Sequence, residues 1–92
     1  MILSFADKRT EALWNGRRVP AFEGFRERAE RKLAILDAAT TLEDLGALPG
    51  NRLEALRGDR RGQHSIRIND QWRVCFVWNE GDAFDVEIVD YH

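Results

Sequence analysis

The apolar pattern of this chain changes its period once, near Asn51, and this change restricts the fold more than any other feature of the sequence. Before Asn51, apolar residues recur at spacings of three and four, the period of an amphipathic helix. After Asn51 they alternate with polar residues, the period of a strand with one buried face. With 92 residues there is room for one modest core. The sequence therefore predicts one α+β domain, residues 1–92, with N-terminal helices packed on an antiparallel sheet.

In the first half, Ile2 to Phe5 is apolar enough for a short strand, and Asp7 to Trp14 is typical of a short helix ended by Asn15-Gly16. A longer helix is predicted to begin at Pro20, which suits a first turn. The stretch from Thr40 to Glu43 resembles a capping box that opens one further turn of helix. The apolar stripe of the longer helix consists of Phe22, Phe25, Ala29, Leu33 and Leu36.

The second half contains four predicted strands separated by short turns, which indicates an antiparallel meander. These strands are Leu53 to Arg57, Gln63 to Ile68, Trp72 to Trp78 and Ala83 to Tyr91. Strict alternation predicts one apolar face, against which the long helix packs its stripe. That face is expected to carry Trp72, Val74, Phe76, Trp78, Phe84, Val86 and Ile88.

A three-residue loop at 69–71 places Arg67 opposite Arg73, on the sheet face that points away from the helix. On this register the two arginines share an open surface with Ser65 and Cys75. Like charges placed together cost energy unless an anion or a carboxylate neutralises them. This pair is therefore a place to expect a phosphate.

The formal net charge of −2 is unusual for a protein that binds RNA, but the charge is unevenly distributed. Residues 52–73 contain six arginines and three acids, whereas residues 74–92 contain five acids and no Lys or Arg. This pattern suggests a local anion site, although on charge alone solvated strand faces are the favoured explanation. The single cysteine, Cys75, excludes an intrachain disulfide, and two histidines without ligand spacing argue against zinc. With no signal peptide apparent, we expect a cytoplasmic protein.

Several segments together resemble the HigB branch, or plasmid-maintenance killer family, of the RelE superfamily of toxins. The resemblance is strong over about residues 30–92 and weak before them, and it implies the RelE-like fold. The segments that carry it are Glu30 to Leu33, Leu36 to Thr40, Pro49 to Glu54, Leu56 to Asp59, Ser65 to Asn69, Gln71 to Arg73, and Val89 to His92.

The resemblance implies a toxin that cuts mRNA in the A site of the ribosome without a metal or another cofactor. The ribose 2′-hydroxyl attacks the adjacent phosphorus and expels the 5′-oxygen, so the site must accept a proton, donate a proton and stabilise the phosphoryl oxygens. Arg73 matches the family's phosphate-contacting arginine, and Arg57 occupies a basic position in the turn region. Either could bind the phosphate with two hydrogen bonds and stabilise the transition state. His92 is the expected proton donor, since nearby carboxylates, including Asp90, favour its imidazolium form. Asp90 is also expected to orient an arginine or the imidazole, and Tyr91 to contact the substrate nucleotide.

Glu54 departs from the family pattern, because some relatives carry a histidine there. It either accepts the proton or pairs with an arginine; pairing is favoured, which leaves the general base unassigned. Arg60, Arg61 and Arg67 are expected to contact RNA. The structural alternative for Arg73 is an ion pair with a carboxylate of the C-terminal tail.

A HigA-like helix-turn-helix antitoxin is the partner that the resemblance implies, and the complex is expected to bind operator DNA through the antitoxin. Membrane association is not expected. Two other functions remain open on the same fold. One is non-catalytic inhibition of DNA gyrase, as in the ParE relatives, and the other is a degenerate toxin that acts only as a co-repressor.

Overall fold

The structure, a computed structural model, describes residues 1–91 and confirms the α+β class. Short 3₁₀ helices cover Pro20–Phe25, Pro49–Asn51 and Gly58–Arg60. The α-helices are α1 (Lys8–Trp14), α2 (Arg26–Ala38) and α3 (Leu42–Gly46). The strands are β1 (Glu54–Ala55), β2 (His64–Arg67), β3 (Trp72–Asn79) and β4 (Asp82–Asp90).

The predicted long helix is divided into a 3₁₀ segment and α2, which begins only at Arg26. In a 3₁₀ helix, residues three apart lie on the same side, so Phe22 and Phe25 face the same neighbour. Both rings pack against Trp72 of β3, with centroid distances of 5.7 and 5.0 Å. The rest of the predicted stripe is confirmed, because Ala29, Leu33 and Leu36 are fully buried.

The predicted capping box is wrong by one residue. Thr41, rather than Thr40, is the N-cap of α3, and its hydroxyl accepts a hydrogen bond from the Asp44 amide at 3.1 Å. The Asp44 carboxylate accepts in return from the amides of Thr40 (3.0 Å) and Thr41 (3.2 Å). These hydrogen bonds hold the pKa of Asp44 below its usual value, and the one from the Thr40 amide has the largest effect. Both Thr40/Glu43 and Thr41/Asp44 have the spacing of a capping box, so the pattern alone did not choose between them.

The four strands form an antiparallel meander in the order β1-β2-β3-β4, as predicted. The N-terminal segment differs from the prediction, because it is not a continuous strand. Ile2 and Phe5 instead make isolated parallel bridges to Ala83 and Val86 of β4. The N-terminal segment thus lies along the outer edge of β4, the last strand of the sheet.

A β-bulge in β4 overturns the predicted position of Phe84. Cys75 pairs with Glu87 and Val77 pairs with Phe84, so β4 contains one extra residue between these pairs. Asp85 adopts φ 53 within this interval. The extra residue resets the alternation, and Phe84 pairs on the face opposite to Val86. An apolar pattern alone does not reveal such a reset.

The helices cover one face of the sheet and leave the other for a functional site. The residues at this covered face that are at most 1% exposed include Leu13, Phe22, Leu33, Leu36, Leu45, Ile66, Val74, Phe76, Val86 and Ile88. We call the opposite side, which carries Ser65, Arg67, Arg73, Cys75 and Glu87, the outer face. No helix within residues 1–91 is long and apolar enough to cross a membrane.

Candidate active site

The outer face is organised by a row of four residues, one from each strand. Glu54 pairs with Ser65, Ser65 with Cys75, and Cys75 with Glu87. The next row along the strands contains Arg67 and Arg73, so the predicted pairing of these arginines is confirmed. The turn at 69–71 supports this register, because the Asn69 side-chain oxygen accepts hydrogen bonds from the amides of residues 71 and 72.

The expectation that Ser65 and Cys75 lie on an open surface is wrong, because both are fully buried. Two arginine side chains of the outer face explain this. Arg73 lies against Ser65, and Arg60 reaches Glu87, the cross-strand partner of Cys75, at 3.3 Å. Burial raises the pKa of the Cys75 thiol above its usual value, which favours the neutral, unreactive form.

Arg73 is the most constrained cation of the outer face, and its side chain is only 12% exposed. Its Nε donates a hydrogen bond to the Ser65 hydroxyl at 2.7 Å, and its Nη2 donates to the Arg52 carbonyl at 2.6 Å. A longer hydrogen bond joins Nη2 to the Ser65 carbonyl at 3.4 Å. Within residues 1–91, Nη1 donates no hydrogen bond, whereas Nε and Nη2 both do.

The Arg52 carbonyl reaches Arg73 because Arg52 adopts a left-handed conformation, φ 44 and ψ 56. This conformation is uncommon for a residue other than glycine and needs support from its surroundings. The preceding residue, Asn51, is fully buried and supplies that support. Its side chain donates to the Leu45 carbonyl (3.0 Å) and accepts from Lys32 Nζ (2.6 Å). The turn after α3 is thereby fixed between two helices and the sheet.

Glu54 is the carboxylate that contacts Arg73, at 3.6 Å between Oε1 and Nη2. The side chain of Glu54 is 54% exposed, so solvent weakens this ion pair. The contact supports the pairing role expected for Glu54.

The end of β4 contains two further predicted residues, of which Tyr91 lies beside Arg73. The Arg73 guanidinium carbon lies 5.9 Å from the centre of the Tyr91 ring, which is the distance of a cation–π contact. Tyr91 is 40% exposed, so one face of the ring can meet a ligand. Asp90 accepts a hydrogen bond from the Gln71 side chain at 3.0 Å, and the Tyr91 amide donates to the Gln71 carbonyl at 2.7 Å. The predicted proton donor, His92, lies outside the described residues.

The remaining predicted arginines are distributed over the outer face and its margins. Arg67 forms an ion pair with Asp70, and Arg60 bridges Gln63 and Glu87. Arg57 and Arg61 are exposed and line a depression of about 470 Å³ beyond the end of β1. Just after β1, the Leu56 amide donates a hydrogen bond to the carbonyl of residue 63. Residue 63 is four residues along from Arg67, or about 13 Å at the rise of a strand. The structure therefore groups Glu54, Arg73 and Tyr91, and it separates Arg57 from them.

The roles of two groups were missed at the sequence level, the Ser65 hydroxyl and the Arg52 carbonyl. Ser65 was predictable in principle, since the register places it diagonally across from Arg73, within reach of a long side chain. The Arg52 carbonyl was not, because no residue type marks a left-handed arginine. Within residues 1–91, no group of three or more His, Cys, Asp and Glu side chains is arranged to hold a metal ion.

Known proteins resemble this chain in both sequence and structure. Toxin HigB-1 from Vibrio cholerae serotype O1 is 40% identical over 89 residues, with 92% of each chain covered. The Endoribonuclease HigB of Proteus vulgaris is 35% identical over 66 residues, covering 72% of this chain and 71% of the relative. In structure, the chain is similar to one from the YoeB-YefM complex of Staphylococcus aureus, with a TM-score of 0.59, 14% identity and coverage of 100% and 98%.

The structural similarity shows a shared fold, while the sequence match is specific to one family. The family described as the RelE-like toxin of type II toxin-antitoxin system HigB matches residues 4–92. A toxin of such a system has an antitoxin as its partner. This chain therefore belongs to the HigB family of RelE-like toxins of type II toxin–antitoxin systems.

Proposed function

We propose that this toxin is an endoribonuclease that cuts mRNA on the ribosome and so inhibits translation. The observation that carries this proposal is the guanidinium of Arg73, which is fixed by the Ser65 hydroxyl and the Arg52 carbonyl and whose Nη1 donates no hydrogen bond within residues 1–91. A donor held in place before substrate arrives stabilises a transition state without the cost of reorganisation. The Proteus vulgaris relative, which is named an endoribonuclease, supports the same activity.

In the proposed reaction, the 2′-hydroxyl of one nucleotide attacks the adjacent phosphorus while its proton passes to an acceptor. The bond to the 5′-oxygen breaks, and that oxygen takes a proton from a donor. Arg73 binds the phosphoryl oxygens, whose negative charge is most crowded in the transition state. Tyr91 stacks on a base that flanks the cleaved bond. Because Tyr91 lies beside Arg73, this base is then next to the bound phosphate.

We assign proton donation to His92, following the family resemblance, and orientation of the donor or of an arginine to Asp90. Glu54 is assigned the role of charge partner to Arg73, on the strength of their 3.6 Å contact. The carboxylate neutralises the arginine until RNA arrives and then gives way to the phosphate. If Glu54 instead accepts the proton, its replacement by glutamine should cause a much larger loss of cleavage rate.

The other arginines are assigned to RNA phosphates that flank the cleaved bond. Arg67 adjoins Arg73 in the sheet, whereas Arg57 and Arg61 lie at the far end of β2 and would meet a more distant part of the strand. Arg60 is held by Glu87, so its contribution requires that this ion pair opens or that RNA approaches its exposed edge.

We further propose the cellular setting that this activity requires. The toxin acts in the cytoplasm on mRNA in the ribosomal A site. A HigA-like helix-turn-helix antitoxin neutralises it, and the complex binds operator DNA through that antitoxin. These assignments follow the family match and the resemblance of the motifs.

Mapping of 5′ ends on a defined mRNA, incubated with the protein with and without ribosomes, tests the proposed function. Wild-type protein should produce new ends only with ribosomes, and Arg73→Ala should produce none. Cuts that persist in Arg73→Ala would remove this site from the reaction. Absence of cuts in wild type, together with inhibition in a gyrase supercoiling assay, would overturn the endoribonuclease in favour of a gyrase inhibitor.

A further inference from the structure

A second cluster of cations lies beside the candidate active site, where α2 meets the edge of β2. Arg28, Arg31 and Lys32 share one face of α2, because residues three and four apart are neighbours on a helix. Arg67 approaches them from the end of β2, and together with Gly50 and Ile68 they line a depression of about 220 Å³. We call this site, defined by Arg28, Arg31, Lys32 and Arg67, the basic pocket.

The topology explains why Arg67 belongs to both sites. Strand β1 pairs only with His64 and Ser65, so the edge of β2 is free of strand pairing at Arg67. The 3₁₀ helix Pro49–Asn51 packs near this edge and brings Gly50 to the pocket. Arg67 is also the cross-strand partner of Arg73. The basic pocket is therefore continuous with the surface on which the phosphate of the cleaved bond is proposed to bind.

The charges of the basic pocket are poorly balanced within the described part of the chain. Lys32 Nζ donates to the neutral Asn51 side chain at 2.6 Å. Arg67 pairs with Asp70, whose side chain is 98% exposed, so solvent weakens this ion pair. Within residues 1–91, Arg28 and Arg31 form no ion pair. The pKa of Lys32 is lowered, first by burial and then by the charges of Arg67, Arg28 and Arg31.

Packing does not account for this arrangement. Lys32 has a structural task in holding Asn51, but Arg28 and Arg31 are exposed and have no partner within residues 1–91 that would require their charge. Like charges close together on a helix face destabilise it. An anion that several guanidinium groups can bind by paired hydrogen bonds would reverse that cost, and a phosphodiester fits this description.

We propose that the basic pocket binds a phosphodiester group of RNA next to the nucleotide that is cleaved at Arg73. This inference rests on the proposed function for the identity of the cleaved strand. The phosphodiester belongs either to the mRNA that is cut or to the ribosomal RNA around it. Both sources present the same chemistry to Arg28 and Arg31, and the experiment below separates them.

The experiment compares two double variants with the same change in charge. Arg28→Gln/Arg31→Gln removes two charges from the basic pocket, and Arg17→Gln/Arg18→Gln removes two exposed charges from the loop after α1. In the first arm, fluorescence anisotropy measures binding of a labelled 2′-O-methyl oligoribonucleotide, which cannot be cleaved because it lacks free 2′-hydroxyls. In the second arm, co-sedimentation measures binding to 70S ribosomes. Thermal unfolding verifies that both variants fold.

If the strand that is cut occupies the pocket, the pocket variant binds the oligonucleotide about five- to twentyfold more weakly near 0.1 M salt. Its slope of log K against log salt becomes shallower by about 0.7 for each phosphate that the variant no longer neutralises. The control variant should change by less than about twofold. Weaker binding in the ribosome arm alone identifies ribosomal RNA as the source, which also supports the proposal.

Equal behaviour of the two double variants in both arms would overturn the proposal. So would unchanged RNA and ribosome binding with weakened binding of the antitoxin, since the pocket would then serve an acidic protein segment. Cleavage by Arg73→Ala is measured separately on unmodified mRNA. If Arg73→Ala still cuts while the pocket variant loses binding, the proposed active site fails and the pocket stands.

Discussion

Arg73 and the basic pocket carry charge of the same sign, but the protein holds the two in opposite ways. Arg73 is 12% exposed and donates to the Ser65 hydroxyl and to two carbonyl oxygens. Arg28 and Arg31 are exposed on a helix and form no ion pair within residues 1–91. This difference indicates that the two sites are suited to different tasks. Under the proposed functions, the fixed cation would stabilise a transition state, where position decides the rate, and the exposed cations would contribute affinity for a polyanion.

The largest effect should come from Arg73→Lys, which keeps the charge and removes the planar fork. A lysine is a point charge and cannot reach Ser65, Arg52 and a phosphate with fixed geometry at once. We expect the single-turnover cleavage rate on programmed ribosomes to fall by about 100-fold, the usual cost of losing a preorganised donor. A rate within threefold of wild type would show that charge alone suffices, and the contrast with the basic pocket would disappear.

Removal of the Ser65 hydroxyl tests whether fixing the guanidinium matters. Ser65→Ala deletes the acceptor for Arg73 Nε and leaves the Ser65 carbonyl in place. We expect kcat to fall about tenfold, while KM changes little. A tenfold change matches the low end, about 1.5 kcal/mol, of what one hydrogen bond to a charged group contributes. Ser65→Thr retains a hydroxyl and should recover most of the rate. A rise in KM with unchanged kcat would assign Ser65 to binding rather than to positioning.

Substitution of Glu54 decides between charge partner and proton acceptor. If Glu54 neutralises Arg73, Glu54→Gln should strengthen binding of the 2′-O-methyl oligonucleotide by about two- to fivefold, the modest value of an exposed ion pair. Its cleavage rate should then stay within about tenfold of wild type. A loss near the upper range of general-base catalysis, about 10⁴-fold, would instead assign the proton transfer to Glu54.

The smallest effect concerns Lys32 of the basic pocket, whose pKa is lowered first by burial and then by the neighbouring arginines. The pKa of Lys32 is lowered from 10.5 in the folded protein, so the unfolded chain binds this proton more tightly. The contribution of Lys32 to the free energy of unfolding therefore rises with pH between the lowered pKa and 10.5. Cys75 acts in the opposite direction, because its folded pKa is raised above 9.0.

Urea unfolding of wild type and Lys32→Gln between about pH 8 and the ordinary lysine pKa of 10.5 isolates the Lys32 contribution, since Cys75 is common to both proteins. The stability of wild type relative to the variant should increase toward the upper end of this range. A difference between the two that does not change with pH would show that neither burial nor the neighbouring arginines lower the pKa of Lys32 in the folded protein. At neutral pH, added phosphate should stabilise wild type more than the double variant Arg28→Gln/Arg31→Gln.

The sequence predicted those parts of the fold that depend on periodicity and on loop length. The buried stripe of α2 and the pairing of Arg67 with Arg73 belong to this class, because a three-residue loop permits only one register. Departures from periodicity were not predictable in the same way. The bulge at Asp85 moved Phe84 to the other face, and the division of the long helix depends on the packing of Phe22 and Phe25 against Trp72.

The candidate site was predictable to a similar extent. Arg73, Glu54 and Tyr91 were all named from the family motifs, and the structure places them together. What holds Arg73 in place depends on two backbone carbonyls and one hydroxyl, of which only the hydroxyl belongs to a side chain. The burial of Ser65 and Cys75 depends on where long arginine side chains settle, which a pattern of residue types does not specify.

The Arg52 carbonyl has a consequence for genetics. Because the acceptor of Arg73 Nη2 belongs to the backbone, most substitutions of the Arg52 side chain leave it in place. A saturation screen for loss of toxicity would then score position 52 as tolerant, with glycine among the best replacements because it adopts positive φ easily. Valine or isoleucine, for which positive φ is a clear strain, should be the replacements that detoxify the protein. Tolerance at this position would thus reflect that the backbone makes the contact, and it would hide a residue of the active site.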